Sequence, residues 1–443
     1  MLPIVTPTEM AAIDAAAPEP VEVLIDRAAR HVAREAIELM GGVYGRRVTV
    51  LAGPGNNGSD GRVAAAHLTR RGVRVSVVDA LDAPESLRPV DLVIDAAFGT
   101  GLARAYLPPV VAQAQRVLAV DIPSGVDGLT GERLGLPMSA ERTVTFAALK
   151  PGLVLEPGRS LAGEVRVVDI GLNVGSPSRH AVEDADVAAL VPMSSAEDHK
   201  WRSGVRIVGG SGGMTGAAWL AARAAQRAGA GMVQSAMPGA RGSEGPTEAV
   251  VLPLPAVDWA QDALGGLDDR VRAMLVGPGL GRDDPQSVRA MLEVPVPLVI
   301  DGDGLTAEVA SALEGRPAPT ILTPHDGEWQ RLGGDGGPDR LERTREFAIH
   351  HQVTVIRKGP STVIADPGGH IRVVTSGTEA LATAGTGDVL AGFLTALLAQ
   401  GLAPFDAATV AAHVHGAAGR LLGPGLIAGD LPDTFSSVVR TLA

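Results

Sequence analysis

The chain has 443 residues, 45% of them hydrophobic but only 3% aromatic, with a formal net charge of −12 and no cysteine. That length predicts two domains, and cores short of aromatic residues must be built from Ala, Val, Leu and Ile, which suits parallel sheets covered by helices. The acidic balance leaves no footprint for nucleic acid, and the lack of cysteine excludes disulfides, thiolate nucleophiles and thiolate metal sites.

Near the start, Glu9, Asp14 and Glu19 stand among Pro3, Pro7, Pro18 and Pro20, which argues against a secretory leader. No apolar run approaches the ~20 residues that cross a bilayer, so a cytoplasmic protein without a membrane partner is expected. Lysine occurs only at Lys150, Lys200 and Lys358, and arginine supplies the other basic residues. A lysine kept in such a chain marks places where a compact, flexible ammonium has a use.

Residues 22–41 read as an amphipathic helix with Leu24, Ile25, Ala28, Val32, Ala36 and Leu39 on its apolar side. A buried strand follows over 47–52, then a glycine-rich turn, a helix over 61–71, and strands over 73–78, 91–95 and 117–121. Strands alternating with helices at this spacing predict βαβ units and a parallel sheet. The first domain is expected over 1–175, a linker with a short helix over 176–197, and a second α/β domain over 198–443. In the second domain, strands are expected over 205–208, 274–276, 297–301, 320–322 and 353–356, and closing helices over 389–400 and 406–421. The segments 239–246 and 333–338 read as flexible loops.

In the first half, three clusters sit at strand ends, the edge where open α/β sheets bind ligands. They are Gly53-Pro54-Gly55-Asn56-Asn57-Gly58-Ser59-Asp60-Gly61, Asp95-Ala96-Ala97-Phe98-Gly99-Thr100-Gly101 and Asp121-Ile122-Pro123-Ser124-Gly125. With these motifs the half resembles the YjeF N-terminal domain, the epimerase of NAD(P)H-hydrate repair, a Rossmann-like three-layer αβα fold. The resemblance implies that Asn57, Asp95 and Ser124 hold a potassium ion. It also implies that Asn56, Asn57, Gly58, Ser59, Asp60, Gly99, Thr100, Gly101 and Asp121 line the hydrated dinucleotide. Hard oxygen ligands suit such a cation. Asp121 is the candidate acid/base at the hydrated carbon. Ser59 replaces the usual glycine, and Arg62 a more often apolar residue. Lys150, in Phe146-Ala147-Ala148-Leu149-Lys150-Pro151-Gly152, falls in a family-like segment but receives no role.

The second half opens at Asp198-His199-Lys200 and carries Gly209-Gly210-Ser211-Gly212-Gly213, Gly277-Pro278-Gly279-Leu280-Gly281, Thr323-Pro324-His325-Asp326-Gly327-Glu328 and Lys358-Gly359-Pro360-Ser361-Thr362. Gly385-Thr386-Gly387-Asp388 then precedes an apolar helix. Exposed amides and the positive end of the helix dipole favour an anion there, and an aspartate at that spot invites a role as proton acceptor beside a phosphate. There is no Walker loop. In these ordered motifs the half resembles the ADP-dependent NAD(P)H-hydrate dehydratases, of ribokinase-like α/β fold. The resemblance implies that Lys358, Gly359, Pro360, Ser361, Thr362 and Gly387 contact the nucleotide, and that Ala217, Gly279, His325 and Asp388 face the hydrated dinucleotide. Asp326 stands where the family usually has proline, and Gly302 and Gly304 where alanines are usual.

Together the two resemblances imply a bifunctional repair enzyme acting on NADHX and NADPHX with ADP, magnesium and potassium, and forming a homo-oligomer. Asp388 would take the proton of the C6 hydroxyl as its oxygen attacks the terminal phosphate of ADP, leading to NAD(P)H, AMP and phosphate. The alternative is a ribokinase-like small-alcohol kinase with a non-catalytic N-terminal binding domain.

Overall fold

The computed structural model describes residues 1–192, 199–240 and 245–442. Asp198, the 193–197 part of the expected linker and the 241–244 part of the expected loop therefore lie outside the described residues. The chain divides into two compact units, Leu2–Ala181 and Val182–Ala443, the latter joined by Met1. Among the described residues no helix is long and apolar enough to cross a membrane.

In the first unit, α1 (Val21–Met40) precedes β1 (Arg47–Ala52), α2 (Asn56–Arg70), β2 (Arg74–Asp79), β3 (Leu92–Ala96), β4 (Val117–Val120), β5 (Arg142–Phe146) and β6 (Glu164–Val168). The strands form one parallel sheet in the order β2-β1-β3-β4-β5-β6. Alternation along the strands sorts the side chains between two cores. Val50, Ile94 and Leu118 pack with Val32, Ala36 and Leu68 of the two helices, while Leu51, Val93 and Ala119 pack with Ala80, Tyr106 and Met138 from connecting segments.

α2 begins at Asn56, five residues before the start expected from sequence, so the whole asparagine motif lies in its first turns. Tight packing explains glycines inside a helix. A Cβ on Gly58 would stand 1.8 Å from the Gly53 carbonyl oxygen, and one on Gly61 2.5 Å from the Ala96 methyl. The unexpected Arg62 donates to the Gly53 carbonyl (2.6 Å) and lies 3.5 Å from Asp79.

In the second unit, β7 (Gly204–Val208), α3 (Thr215–Arg227), β8 (Met232–Pro238), β9 (Val250–Leu254), β10 (Val271–Val276), β11 (Leu298–Ile300) and β12 (Thr320–Leu322) lead to α4 (Asp326–Arg331) and α5 (Arg340–His351). The chain continues through β13 (Thr354–Arg357), β14 (Thr362–Ala365), β15 (Ile371–Val374), α6 (Thr386–Ala399), α7 (Pro404–Leu422) and α8 (Leu431–Leu442). The strand order is β15-β14-β13-β12-β11-β10-β7-β8-β9. All neighbours are parallel except the antiparallel meander β13-β14-β15. The alanine-rich α3 lies close on α6, where a Cβ on Gly392 would stand 2.1 Å from the Ala221 carbonyl oxygen. That close approach fixes α6, and with it the Gly385–Asp388 turn at its start. A short helix, Asp184–Leu190, falls within the stretch expected as linker and belongs to the unit Val182–Ala443.

Candidate active sites

In the first unit the ends of β1, β3, β4 and β5 open into a cavity of about 760 Å³. Of the expected residues, Asn56, Asn57, Asp60, Gly99, Thr100, Gly101 and Asp121 line it. Gly58 and Ser59 do not: Gly58 is pressed on Gly53, and the Ser59 hydroxyl turns back to the Gly55 carbonyl. Asp14, which no sequence motif signalled, joins the wall from a helix near the N-terminus.

Beneath the wall, Asp95 is fully buried. Its carboxylate accepts from the Ser124 hydroxyl (2.6 Å), the Ser124 amide (2.9 Å) and the Ala97 amide (3.3 Å). Burial nevertheless holds its pKa above the ordinary carboxylate value, against those hydrogen bonds. The side-chain amide of Asn57 is buried at both its oxygen and its nitrogen without a partner. An orphaned amide oxygen and a buried carboxylate short of positive charge suit a hard monovalent cation.

Asp121 follows β4 with φ +66°, a left-handed conformation unusual for a non-glycine residue. Its Oδ1 accepts from the Lys150 ammonium (2.6 Å) and the Thr145 hydroxyl (3.0 Å). Its Oδ2 faces Gly99, 3.4 Å from where a Cβ there would stand, and that same Cβ would lie 3.7 Å from Asn57. Asp60 is raised to about 8, first by burial and then by the charges of Asp121 and Asp14. Asp14 is raised as well, by burial ahead of the opposing Lys150 and the adding Asp121.

In the second unit the cluster forms at the ends of β10, β11, β12 and β13 and at the start of α6. Gly385 (φ +91°) ends the preceding turn, and Val389 is the first amide to bond back to it (3.1 Å). Among the described residues no hydrogen bond engages the amides of Gly387 and Asp388. A Cβ on Gly387 would sit 3.2 Å from the Lys358 ammonium, so glycine leaves a clear approach between amides and cation. Lys358 bonds Asp301 (2.9 Å) and lies 3.5 Å from Glu328. Burial opposes its charge, yet Asp301, Glu328 and Asp388 hold its pKa above the usual lysine value. Asp388 is raised to about 7, first by burial, then by Asp301, with Lys358 opposing and Glu328 and Asp303 adding. Buried His415 donates to the Thr386 carbonyl (2.9 Å) and is pushed down to about 4 by burial, so it props this turn as a neutral ring.

His325 is the N-cap of α4. Its Nδ1 accepts from the amides of Gly327 (2.9 Å) and Glu328 (3.3 Å), which leaves the proton on Nε2, 3.4 Å from Glu328. Through Glu328 the ring joins the Lys358 cluster. Asp326 bonds Arg340 (2.6 Å) and Arg357 (3.0 Å), so the turn is kept without proline. Ala217 and Gly279 adjoin each other, 2.9 Å between the Ala217 methyl and a Cβ placed on Gly279. Ser361 is buried with an unpartnered hydroxyl, and Thr362 bonds the Gly359 carbonyl. Asp301 and Asp303 keep their carboxylates despite the neighbouring glycines: Asp301 also holds the Thr323 hydroxyl (2.6 Å), and Asp303 the Gly281 amide (3.0 Å).

A family model described as NAD(P)H-hydrate dehydratase matches residues 205–439, and one described as YjeF-related protein N-terminus matches 21–86 and 78–152. The bifunctional NAD(P)H-hydrate repair enzyme of Moorella thermoacetica is 38% identical, over 99% of this chain and 97% of its own. That of Mycobacterium leprae is 37% identical, over 94% and 93%. Among solved structures, the ADP/ATP-dependent NAD(P)H-hydrate dehydratase from Bacillus subtilis, co-crystallized with ATP and Mg2+, covers 59% of this chain and 98% of its own. Its identity is 30% and its TM-score 0.52. A ribokinase-like superfamily protein from Enterococcus faecalis (22% identity, TM-score 0.52, 61% and 99% covered) shares the fold.

Proposed function

The chain belongs to the family of bifunctional NAD(P)H-hydrate repair enzymes, and from that premise we propose how its two sites divide the work. It epimerises the R and S forms of NAD(P)H hydrate and dehydrates the S form to NAD(P)H, using an adenine nucleotide with magnesium. ADP is the proposed donor, cleaved to AMP and phosphate.

At the second site Asp388 accepts the proton of the C6 hydroxyl while that oxygen takes the terminal phosphoryl group of ADP, releasing AMP. The open amides of Gly387 and Asp388 and the Lys358 ammonium meet the charge on the transferred group. The electron pair of the ring nitrogen then expels phosphate, and loss of a C5 proton completes the dihydropyridine. An aspartate raised to about 7 is well matched to accepting a proton near neutrality. Ser361 and its loop neighbours contact the nucleotide, and Ala217, Gly279 and His325 face the dinucleotide. Magnesium comes with the nucleotide phosphates, since that ion is commonly bound by phosphates and one or two carboxylates rather than a protein cage.

At the first site Asp121 Oδ2 takes the C6 hydroxyl proton, the C6–N1 bond opens to an aldehyde with the electron pair left on nitrogen, and a proton is delivered there. Rotation and reclosure on the other face give the opposite epimer, the proton returning to oxygen. Asn57, Asp95 and Ser124 would hold potassium, which when bound supplies a fixed positive charge beneath the wall. We place the enzyme in the cytoplasm as a homo-oligomer, which light scattering on the purified chain checks.

The observation that carries this reading is that one chain has both a cavity lined by Asp121 and an open-amide cluster around Asp388. The test is to supply mixed R and S NADPH hydrates with ADP, magnesium and potassium, and to follow the near-ultraviolet absorbance of NADPH. Recovery of both epimers is expected. Recovery of the S share alone would remove the epimerase, and recovery of neither would favour the small-alcohol kinase.

A further inference from the structure

Lys150 is one of three lysines in the chain and is 1% exposed. An ammonium has three hydrogens, and all three are committed: to Asp121 Oδ1 (2.6 Å), the Thr145 hydroxyl (2.8 Å) and the Phe146 carbonyl (3.2 Å). None is left for a substrate. Thr145 passes its own hydrogen to the same Oδ1 (3.0 Å). One oxygen of Asp121 therefore takes two bonds from the protein, while among the described residues none reaches Oδ2.

The backbone is bent to make this pair. Non-glycine residues with positive φ are few, and two of them, Asp121 (+66°) and Ala147 (+61°), lie on the two segments that carry the ion pair. Backbone strain of this kind persists where surrounding structure imposes it, and it collects at working sites. A lysine kept only to neutralise buried charge would require neither the distortion nor the shared threonine.

We propose that Lys150, acting with Thr145, is a positioning residue for epimerisation: it fixes Asp121 by Oδ1 so that Oδ2 alone meets the C6 hydroxyl. This rests on the reading of Asp121 as proton carrier. Lys150 borders the cavity but has no hydrogen left for a substrate, so its loss slows turnover and leaves substrate binding nearly intact.

The experiment follows R-to-S interconversion of NADPH hydrate by chromatography, with no nucleotide present so that dehydration is silent. Lys150→Met is expected to lower kcat about 10²-fold, the scale of a misplaced reacting group, with KM within about twofold. Thr145→Val, close in volume, should fold normally and lose about tenfold through the removed hydrogen bonds. Ethylammonium should restore part of the rate to Lys150→Ala, which a structural role alone would not allow. Wild-type kcat in both Lys150→Met and Thr145→Val, or a rise confined to KM, overturns the proposal. Asp121→Asn is run alongside. If it retains exchange, the assignment of Asp121 fails and the proposal with it; if it is inactive while the other two variants are normal, only the positioning role fails.

Discussion

Each unit sets one lysine near its proposed proton-accepting aspartate, Lys150 buried and Lys358 partly exposed, and the two are spent differently. Lys150 gives every hydrogen to the protein and pins Asp121 directly. Lys358 bonds Asp301, has Glu328 at 3.5 Å, and faces the gap left by Gly387, so it keeps donor capacity toward an arriving phosphate. The aspartates differ to match: Asp121 is tied to a cation, whereas Asp388 stands among Asp301, Glu328 and Asp303 and is raised to about 7. A lysine with all donors bound orients a base, and a lysine with donors in hand binds a substrate anion. The third, Lys200, lies over the Trp201 ring (5.4 Å) and belongs to neither site.

The largest expected effect separates the units. Asp388→Asn should lower dehydration by about 10²–10⁴-fold, the range for a lost general base, and leave R-to-S exchange at the wild-type rate. A matching loss of exchange would mean that the centres are not independent. Lys358→Met comes next. Losing a charged hydrogen bond to the nucleotide should weaken its binding by roughly 10–100-fold, seen as a raised KM for ADP. No change there would erase the contrast between the two lysines.

Proton linkage gives a smaller and more specific signature. The base form of Asp388 is required, so kcat/KM for dehydration should rise with pH and reach half its limit near pH 7. Lys358 draws that pKa down, so Lys358→Met should move the limb upward. Stability runs the other way. Asp388 in the native state keeps a proton between 3.8 and about 7 that the unfolded chain has released, so its contribution is present at low pH and lost as pH climbs through 7. Asp388→Asn should therefore gain melting temperature on the wild type between pH 5 and pH 8. A pH-independent difference would contradict the burial of that carboxyl.

What the sequence disclosed follows from how local each feature is. Largely apolar strands such as Arg47–Ala52 and Leu298–Ile300 declare themselves, and glycine clusters follow their ends. The start of α2 did not, because Gly58 and Gly61 read as a loop on propensity; only the tight packing on Gly53 and Ala96 requires them. The partner of Lys150 was hidden for a different reason. Asp121 is 29 residues away and meets it because β4 and β5 are neighbours in register, Val120 beside Val144, and β5 was not singled out. Motif reading singled out the loops at the strand ends, His325 and Glu328 among them. It missed Thr145 and His415 behind them, whose roles depend on which strands and turns come to lie together.

His325 offers the finest test, since two roles meet in one ring. As N-cap of α4 it holds two amides through Nδ1, and as proposed dinucleotide contact it presents Nε2 from a side chain that is 59% exposed. Alanine removes both functions. Asparagine is a good N-cap and restores the first without the ring. His325→Ala should lose about 0.5–2 kcal/mol of stability, and His325→Asn should recover most of it. KM for the S hydrate should rise several-fold in both variants if the ring touches substrate. If KM returns to the wild-type value together with the cap, His325 is a structural residue, and recognition at this edge passes to Ala217 and Gly279.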